Sequence, residues 1–119
     1  VQTCALPILF DIDEPNQAIQ NLWESFPTMT DNSMPIFSPV NINQLLPDDK
    51  TYWRYSGSLT TPPCTEGVTW AVLKTPVALS AEQLDKFHYI VGPANNRPLQ
   101  PLNERKITDS YSGDTEILY

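Results

Sequence analysis

Histidine is nearly absent from this sequence. Its 119 residues include one histidine (His88), two cysteines, four glycines and seven Lys or Arg. Each shortage excludes something. One histidine and two cysteines show no Cys-x-x-Cys or Cys–His zinc spacing, and one imidazole cannot supply a three-histidine site. Seven basic residues against fourteen acidic ones leave a net charge of −7, which argues against nucleic acid or an anionic membrane as a partner. No apolar run approaches the ~18 residues of a membrane span. Proline, in contrast, is abundant at twelve, about twice the usual share. With 40% hydrophobic and 10% aromatic residues, the chain suits one globular domain with long, proline-stiffened connections.

The most structured message lies in Thr51 to Trp70, TYWRYSGSLTTPPCTEGVTW. Tyr52, Trp53 and Tyr55 are side chains that strands favour, and Gly57 is expected to end that strand. Ser58-Leu59-Thr60-Thr61 then runs into Pro62-Pro63. Proline holds the residue before it in extended geometry, so Thr61 and Pro62 are kept out of the helical region. Two adjacent hydroxyls therefore sit on a stiff backbone just before a second strand, Val68 to Leu73. From the residues alone this is either a rigid polar turn or a site whose hydroxyl must point one way. Val68, Trp70 and Val72 share one strand face and Thr69, Ala71 and Leu73 the other, the mark of a strand inside a sheet.

Elsewhere the signals are local. The first eight residues, VQTCALPI, resemble a common sequencing-adapter primer read in frame when back-translated with ordinary codons (GTT CAG ACG TGT GCT CTT CCG ATC); a genuine short strand is the other reading. Residues 1–8 are accordingly expected to be foreign to the gene, Cys4 included, with the chain starting mid-gene. Leu9 to Glu14 is expected to close a strand and enter an acidic loop. Ile19, Leu22, Trp23 and Phe26 fall on one face of a helix over Pro15 to Phe26, followed by a polar loop over Thr28 to Pro35. In Phe37 to Asp49 a short extended piece leads to one helical turn at Asn43 to Leu46. Pro76 ends the second strand. Ser80-Ala-Glu-Gln83 is a capping box for a helix carrying Leu84, Phe87 and Val91 and stopped by Gly92-Pro93. Asn95 to Leu102 is irregular, and its prolines cannot donate, so side chains must hold it.

The run YWRYSGSLTTPPCTEGVTWAVLKTP (52–76), then SAEQLDKF (80–87) and NNRPLQPLNER (95–105), resembles the C-terminal half of an α-class carbonic anhydrase of bacterial type. The resemblance covers about residues 9 to 107 and leaves 108–119 unassigned. It implies a fold that is mainly β with short helices (α+β), built on a large, mostly antiparallel central sheet. It further implies reversible hydration of carbon dioxide to bicarbonate by a zinc-bound hydroxide, with Zn2+ as cofactor and three histidines as ligands. By the same resemblance Thr60 accepts the hydrogen of that hydroxide and aims it, and the Thr60 amide faces the substrate. Leu59, Val68 and Trp70 resemble the apolar wall for carbon dioxide, although Val68 and Trp70 also read as ordinary sheet core. Thr61 and Asn95 line the cavity, and Arg97 is expected to be a buried or half-buried partner for loop carbonyls.

The ligands themselves have no counterpart here. The resemblance places them upstream of these residues, and His88, beside Phe87 in a helix, is at no ligand position. The 119 residues are therefore expected to be inactive alone, with metal ligands: none in this chain. Cys64 matches bacterial forms in which a cysteine there bonds one near the N-terminus of the full domain; a lone buried thiol is the other reading. The disulfide would imply a periplasmic or secreted protein. Two further functions compete with the enzyme: a carbonic anhydrase-like binding protein that has lost its ligands, and an unrelated proline-rich secreted β module.

Overall fold

The computed structural model describes residues 3–25, 35, 41–110 and 116–117. Its strands, in chain order, are β1 (Thr3–Ala5), β2 (Phe10–Ile12), β3 (Tyr52–Ser58), β4 (Glu66–Leu73), β5 (Val77–Leu79), β6 (Ile107–Asp109) and β7 (Glu116–Ile117). The helices are α1 (Gln17–Glu24) and α2 (Ala81–Val91), with a short 3-10 helix at Ile42–Leu45. These elements fall into two compact units: residues 1–9, 47–76 and 97–119 in the first, residues 10–46 and 77–96 in the second.

The first unit is a five-stranded sheet of order β1-β4-β3-β6-β7. Its β3–β4, β3–β6 and β6–β7 pairs are antiparallel and its β1–β4 pair parallel. The fold is thus mainly β with short helices, as expected. β4 lies inside the sheet, and its Val68 and Leu73 are 3% and 2% exposed. β1 comes from within the stretch expected to be foreign, and it pairs Thr3, Cys4 and Ala5 with Val68, Thr69 and Trp70. Residues 107–109 and 116–117, beyond or at the edge of the expected match, add the two strands β6 and β7. At the far end of the β3–β4 hairpin, Asp49 accepts hydrogen bonds from Thr51 N–H (2.9 Å), Thr51 Oγ1 (3.0 Å) and Thr75 Oγ1 (3.2 Å). Nearby, Lys74 pairs with Asp109 of β6 and sits 5.6 Å from the centre of the Trp53 ring.

Two boundaries in this unit differ from expectation. β3 does not stop at Gly57 but continues to Ser58, because Gly57 still pairs with Val68. β4 starts at Glu66, two residues ahead of Val68. Ser58 pairs with Glu66, so Gly67 is an extra residue on β4. Its φ of +91° lies where glycine alone is comfortable, which suits a bulge.

The second unit pairs β2 with β5 in parallel and packs α1 and α2. β5 went unread in the sequence: three residues after Pro76 are too short a run to show a period. α1 begins at Gln17, not Pro15, because Asn16 is the cap: its Oδ1 accepts the N–H groups of Ala18 (3.0 Å) and Ile19 (3.1 Å). The helix places Ile19 and Trp23 in a core with Leu79, against which Leu22, Leu45, Leu84 and Phe87 pack. Trp23 stacks on Phe87 with ring centroids 6.0 Å apart, so it is the core residue expected. Phe26, nearly all of the Thr28–Pro35 loop and the extended piece near residue 38 lie outside the described residues. The helical turn expected at 43–46 is found one residue earlier, capped by Asn41. Val91, expected on the packed face of α2, is 43% exposed.

The capping box is present and does more than cap. Gln83 is 4% exposed. Its Oε1 accepts from Ser80 N–H (3.2 Å) and Asn16 N–H (2.9 Å), and its Nε2 donates to Asn16 O (2.8 Å). Trp23 Nε1 donates to the Gln83 carbonyl at 2.8 Å. One amide thereby ties the starts of both helices together.

Gln83→Ala strands two main-chain donors, the buried Ser80 N–H and the part-buried Asn16 N–H, while Asn16 O keeps the Gln20 N–H; a buried unsatisfied donor costs about 1–3 kcal/mol. Urea denaturation should show a loss of about 2 kcal/mol or more for Gln83→Ala, against less than about 0.5 kcal/mol for Tyr89→Ala, Tyr89 being 85% exposed. Equal losses would contradict the polar tie.

The Thr51 N–H, followed by the Thr51 hydroxyl, holds the Asp49 carboxyl below its ordinary pKa. A depressed folded pKa contributes stability above the unfolded value of about 3.9 and loses it as pH falls through the folded value. Asp49→Asn should therefore flatten the acid limb of a stability-versus-pH curve below about pH 4. An unchanged limb would show that Asp49 does not hold the hairpin end.

Candidate active site

The site is built on the bulged end of the β3–β4 hairpin. Leu59 N–H donates to Thr65 O (2.9 Å), closing the connection just beyond the two strands. Inside it, Cys64 N–H donates to Thr61 O (2.9 Å), so Thr61 to Cys64 forms a four-residue turn whose Pro62–Pro63 bond is cis. Cys64 ends that turn at φ +56°. Thr60 therefore stands between two residues, Leu59 and Thr61, whose main chains are each tied down. Prolines at the two central turn positions lose little entropy on ordering, which suits a loop required to stay in one shape. Leu59 is 42% exposed, and Thr60 and Thr61 are exposed.

Behind the loop lie the paired strands. Trp70 is opposite Tyr55 in the ladder, and their rings stack with centroids 6.3 Å apart and planes 8° from parallel. Trp70 Nε1 donates to Ser58 O (3.1 Å), so the indole reaches up to the residue before Leu59. Val68 pairs with Gly57 on the same ladder and is buried. The structure thus gathers Leu59, Thr60, Thr61, Val68 and Trp70 on one hairpin: Leu59 and the two hydroxyls on the connection, Val68 and Trp70 on β4.

The remaining candidates are placed differently. A cleft of about 620 Å³ opens beside the hairpin, and of the predicted residues only Cys64 and Arg97 line it. Arg97 is exposed and donates to Cys64 Sγ at 3.8 Å, so the expected buried or half-buried partner of loop carbonyls is not found there. Arg105 does that work: its Nε donates to Leu102 O (3.1 Å), its Nη2 to Pro101 O (2.8 Å) and its Nη1 to Ser56 O (3.3 Å). The readable signal was the lack of N–H donors in the proline-rich segment, which calls for an arginine fork nearby. Asn95 belongs to the second unit and is exposed in the irregular stretch after α2. His88 is half-buried on α2, its carbonyl accepting from Gly92 N–H (2.9 Å). Among the described residues both Cys4 and Cys64 are free thiols, and no helix is long and apolar enough to cross a membrane.

Comparison with known proteins agrees with this geometry. Residues 2–111 match the family model described as eukaryotic-type carbonic anhydrase. The chain is 47% identical over 102 residues to a carbonic anhydrase of Klebsiella pneumoniae, covering 86% of this chain and 42% of that protein. It is 42% identical over 108 residues to one of Neisseria gonorrhoeae, covering 91% of this chain and 42% of that protein. It therefore spans about two fifths of the length of these curated relatives. Among solved structures, the α-carbonic anhydrase of Thermovibrio ammonificans, determined with the inhibitor sulfanilamide, superimposes with a TM-score of 0.85 at 43% identity, over 87% of this chain and 46% of that one. That of Photobacterium profundum gives 0.82 at 38% identity, over 87% and 48%. A hairpin whose main chain is tied on both sides of Thr60, a matching family model and relatives well above 30% identity lead to one conclusion: the chain belongs to the α-carbonic anhydrase family.

Proposed function

We propose that these residues orient the reactants in the reversible hydration of carbon dioxide to bicarbonate, as part of a complete α-carbonic anhydrase domain. The observation that carries the proposal is Thr60, whose neighbours on both sides are fixed by main-chain hydrogen bonds. Its hydroxyl accepts a hydrogen bond from the attacking oxygen and aims that oxygen's lone pair, while its N–H faces the substrate. Leu59, Val68 and Trp70 form the apolar wall against which carbon dioxide rests, and Thr61 lines the polar side. Arg97 borders the cleft beside the hairpin. An apolar wall with one aimed polar contact suits a small substrate that has no charge to grip.

In this family zinc supplies the nucleophile by lowering the pKa of water to about 7, a shift for which carbonic anhydrase is itself the reference case. Such a site takes three protein ligands. The donor set here does not fit it: the chain has one histidine, and among the described residues no three His, Cys, Asp or Glu come together. The ligands are assigned to the part of the family domain that these residues do not span, and the 119 residues alone are assigned no activity. A second reading, a domain that binds without catalysis, is decided by whether that part of the domain carries the three histidines. A braced Thr60 weighs against it, since a binding protein has no need of an aimed hydroxyl. For Cys64 we propose a disulfide to a cysteine of that same missing part, and with it a periplasmic or secreted location.

The 119-residue chain should retain well under one equivalent of zinc after dialysis against a mild chelator. A full equivalent would overturn the ligand inventory.

In the complete domain, Thr60→Ala should lower kcat by ~10²–10³, the usual cost of one preorganised polar contact at a reacting centre. Zinc content and thermal stability should stay as they were. Thr61→Ala should cost much less. Equal losses would reduce the loop to packing, and a Thr60→Ala enzyme with unchanged kcat/KM would take the residue out of the reaction.

A further inference from the structure

The main chain leading into Thr60 is held by two side chains, one from β4 itself and one from the segment that precedes β6. Arg105 Nη1 donates to Ser56 O (3.3 Å) and Trp70 Nε1 to Ser58 O (3.1 Å). Between these two carbonyls sits Gly57. A Cβ built there would lie 2.9 Å from Trp70 Cδ1 and 2.9 Å from Trp70 Nε1, so the indole fills the space a side chain would occupy. The ring cannot easily yield, because it is stacked on Tyr55. Tyr55 in turn has the Arg105 guanidinium carbon 5.9 Å from its ring centre. Arg105, Tyr55, Trp70 and Gly57 therefore form one packed series beside Ser56–Ser58.

The need for such bracing follows from the bulge. Gly67 is inserted opposite the Gly57–Ser58 step, where the ladder register shifts. A bulge leaves part of the ladder unpaired and bends the strand. An indole N–H, which can only donate, meets the Ser58 carbonyl at this step.

We infer that Trp70, Gly57 and Arg105 are positioning residues that fix the Ser56–Leu59 main chain and through it the direction of the Thr60 hydroxyl. The inference rests on the role proposed above for Thr60. Trp70 has a second task beyond forming the apolar wall, and Gly57 and Arg105 touch no reacting atom. A shift of about 1 Å at a reacting group can cost ~10²-fold in rate, which is why the segment ahead of it has to be stiff.

Amide hydrogen exchange on the 119-residue chain tests the brace without any assay of activity. Trp70→Phe keeps an aromatic ring but removes the donor and the indole edge over Gly57; Gly57→Ala pushes the indole away. Each should speed exchange of the Leu59 amide at least about tenfold, while the Lys74 amide, bonded to Thr51 O at the opposite end of the hairpin (3.0 Å), changes by less than about twofold. The double variant should be no faster than the faster single, because both act through one contact. Equal acceleration of Leu59 and Lys74, an unchanged Leu59 in Trp70→Phe, or additive effects would overturn the brace. In the complete domain Trp70→Phe should lower kcat at least about tenfold with KM within about twofold. A loosened loop with unchanged kcat would refute positioning and leave the proposed function standing. A complete wild-type domain without carbon dioxide hydration would sink the function, whatever the exchange data say about the brace.

Discussion

The pairing of β3 with β4, and the one place where it fails to stay in step, governs the first unit. Seven residue pairs run from Tyr52–Leu73 to Ser58–Glu66, with Gly67 skipped between the last two. Up to Gly57 the ladder is ordinary and fixes which side chains share a face. Beyond it the extra residue turns the connection, and bonds from Trp70 Nε1 to Ser58 O and from Leu59 N–H to Thr65 O take over from regular pairing. Bulges commonly re-aim side chains beside active sites, and the residues that follow this one on the connection are Leu59, Thr60 and Thr61. The opposite end, where Asp49, Thr51, Thr75, Lys74 and Asp109 meet, is held by charge and hydroxyl contacts. A hairpin clamped at both ends can carry a stiff loop without a large core under it.

The second unit uses a different device. Among the described residues its core is small, Ile19, Trp23 and Leu79 with four partly buried neighbours, and apolar burial on that scale leaves little margin over the entropy of ordering. Directional bonds supplement it. Gln83 serves Asn16 and Ser80 at once, Asn16 caps α1 and also donates to Ala78 O (3.2 Å), and Lys86 Nζ donates to Trp23 O (2.8 Å). Because Gln83 is buried, its amide must be fully partnered or costly.

The sequence was informative where one residue type leaves one physical option. Adjacent aromatics marked β3, Ser80 to Gln83 marked the start of α2, and the motif run through Thr60-Thr61-Pro62-Pro63 led to the family. It was uninformative where the answer depends on what lies opposite. Gly57 looked like a strand end, since nothing in the chain order shows Trp70 lying over it. Arg97 and Arg105 are equivalent as letters; only the path of the 97–105 segment gives the carbonyls to Arg105 and leaves Arg97 against a thiol. β5 is three residues long and exists because β2 is beside it. Pro15 signalled a helix start, yet Asn16 outcompeted it by capping.

The central claim is that Thr51 to Trp70 is the orienting part of a carbonic anhydrase site. The most direct measurement places this stretch in the Klebsiella pneumoniae carbonic anhydrase, in place of that enzyme's own, and follows carbon dioxide hydration by stopped flow. With the relative supplying the rest of the domain, the exchanged enzyme should keep kcat/KM within about tenfold of its parent. A fall to the uncatalysed rate in a folded protein with its metal content intact would contradict the claim.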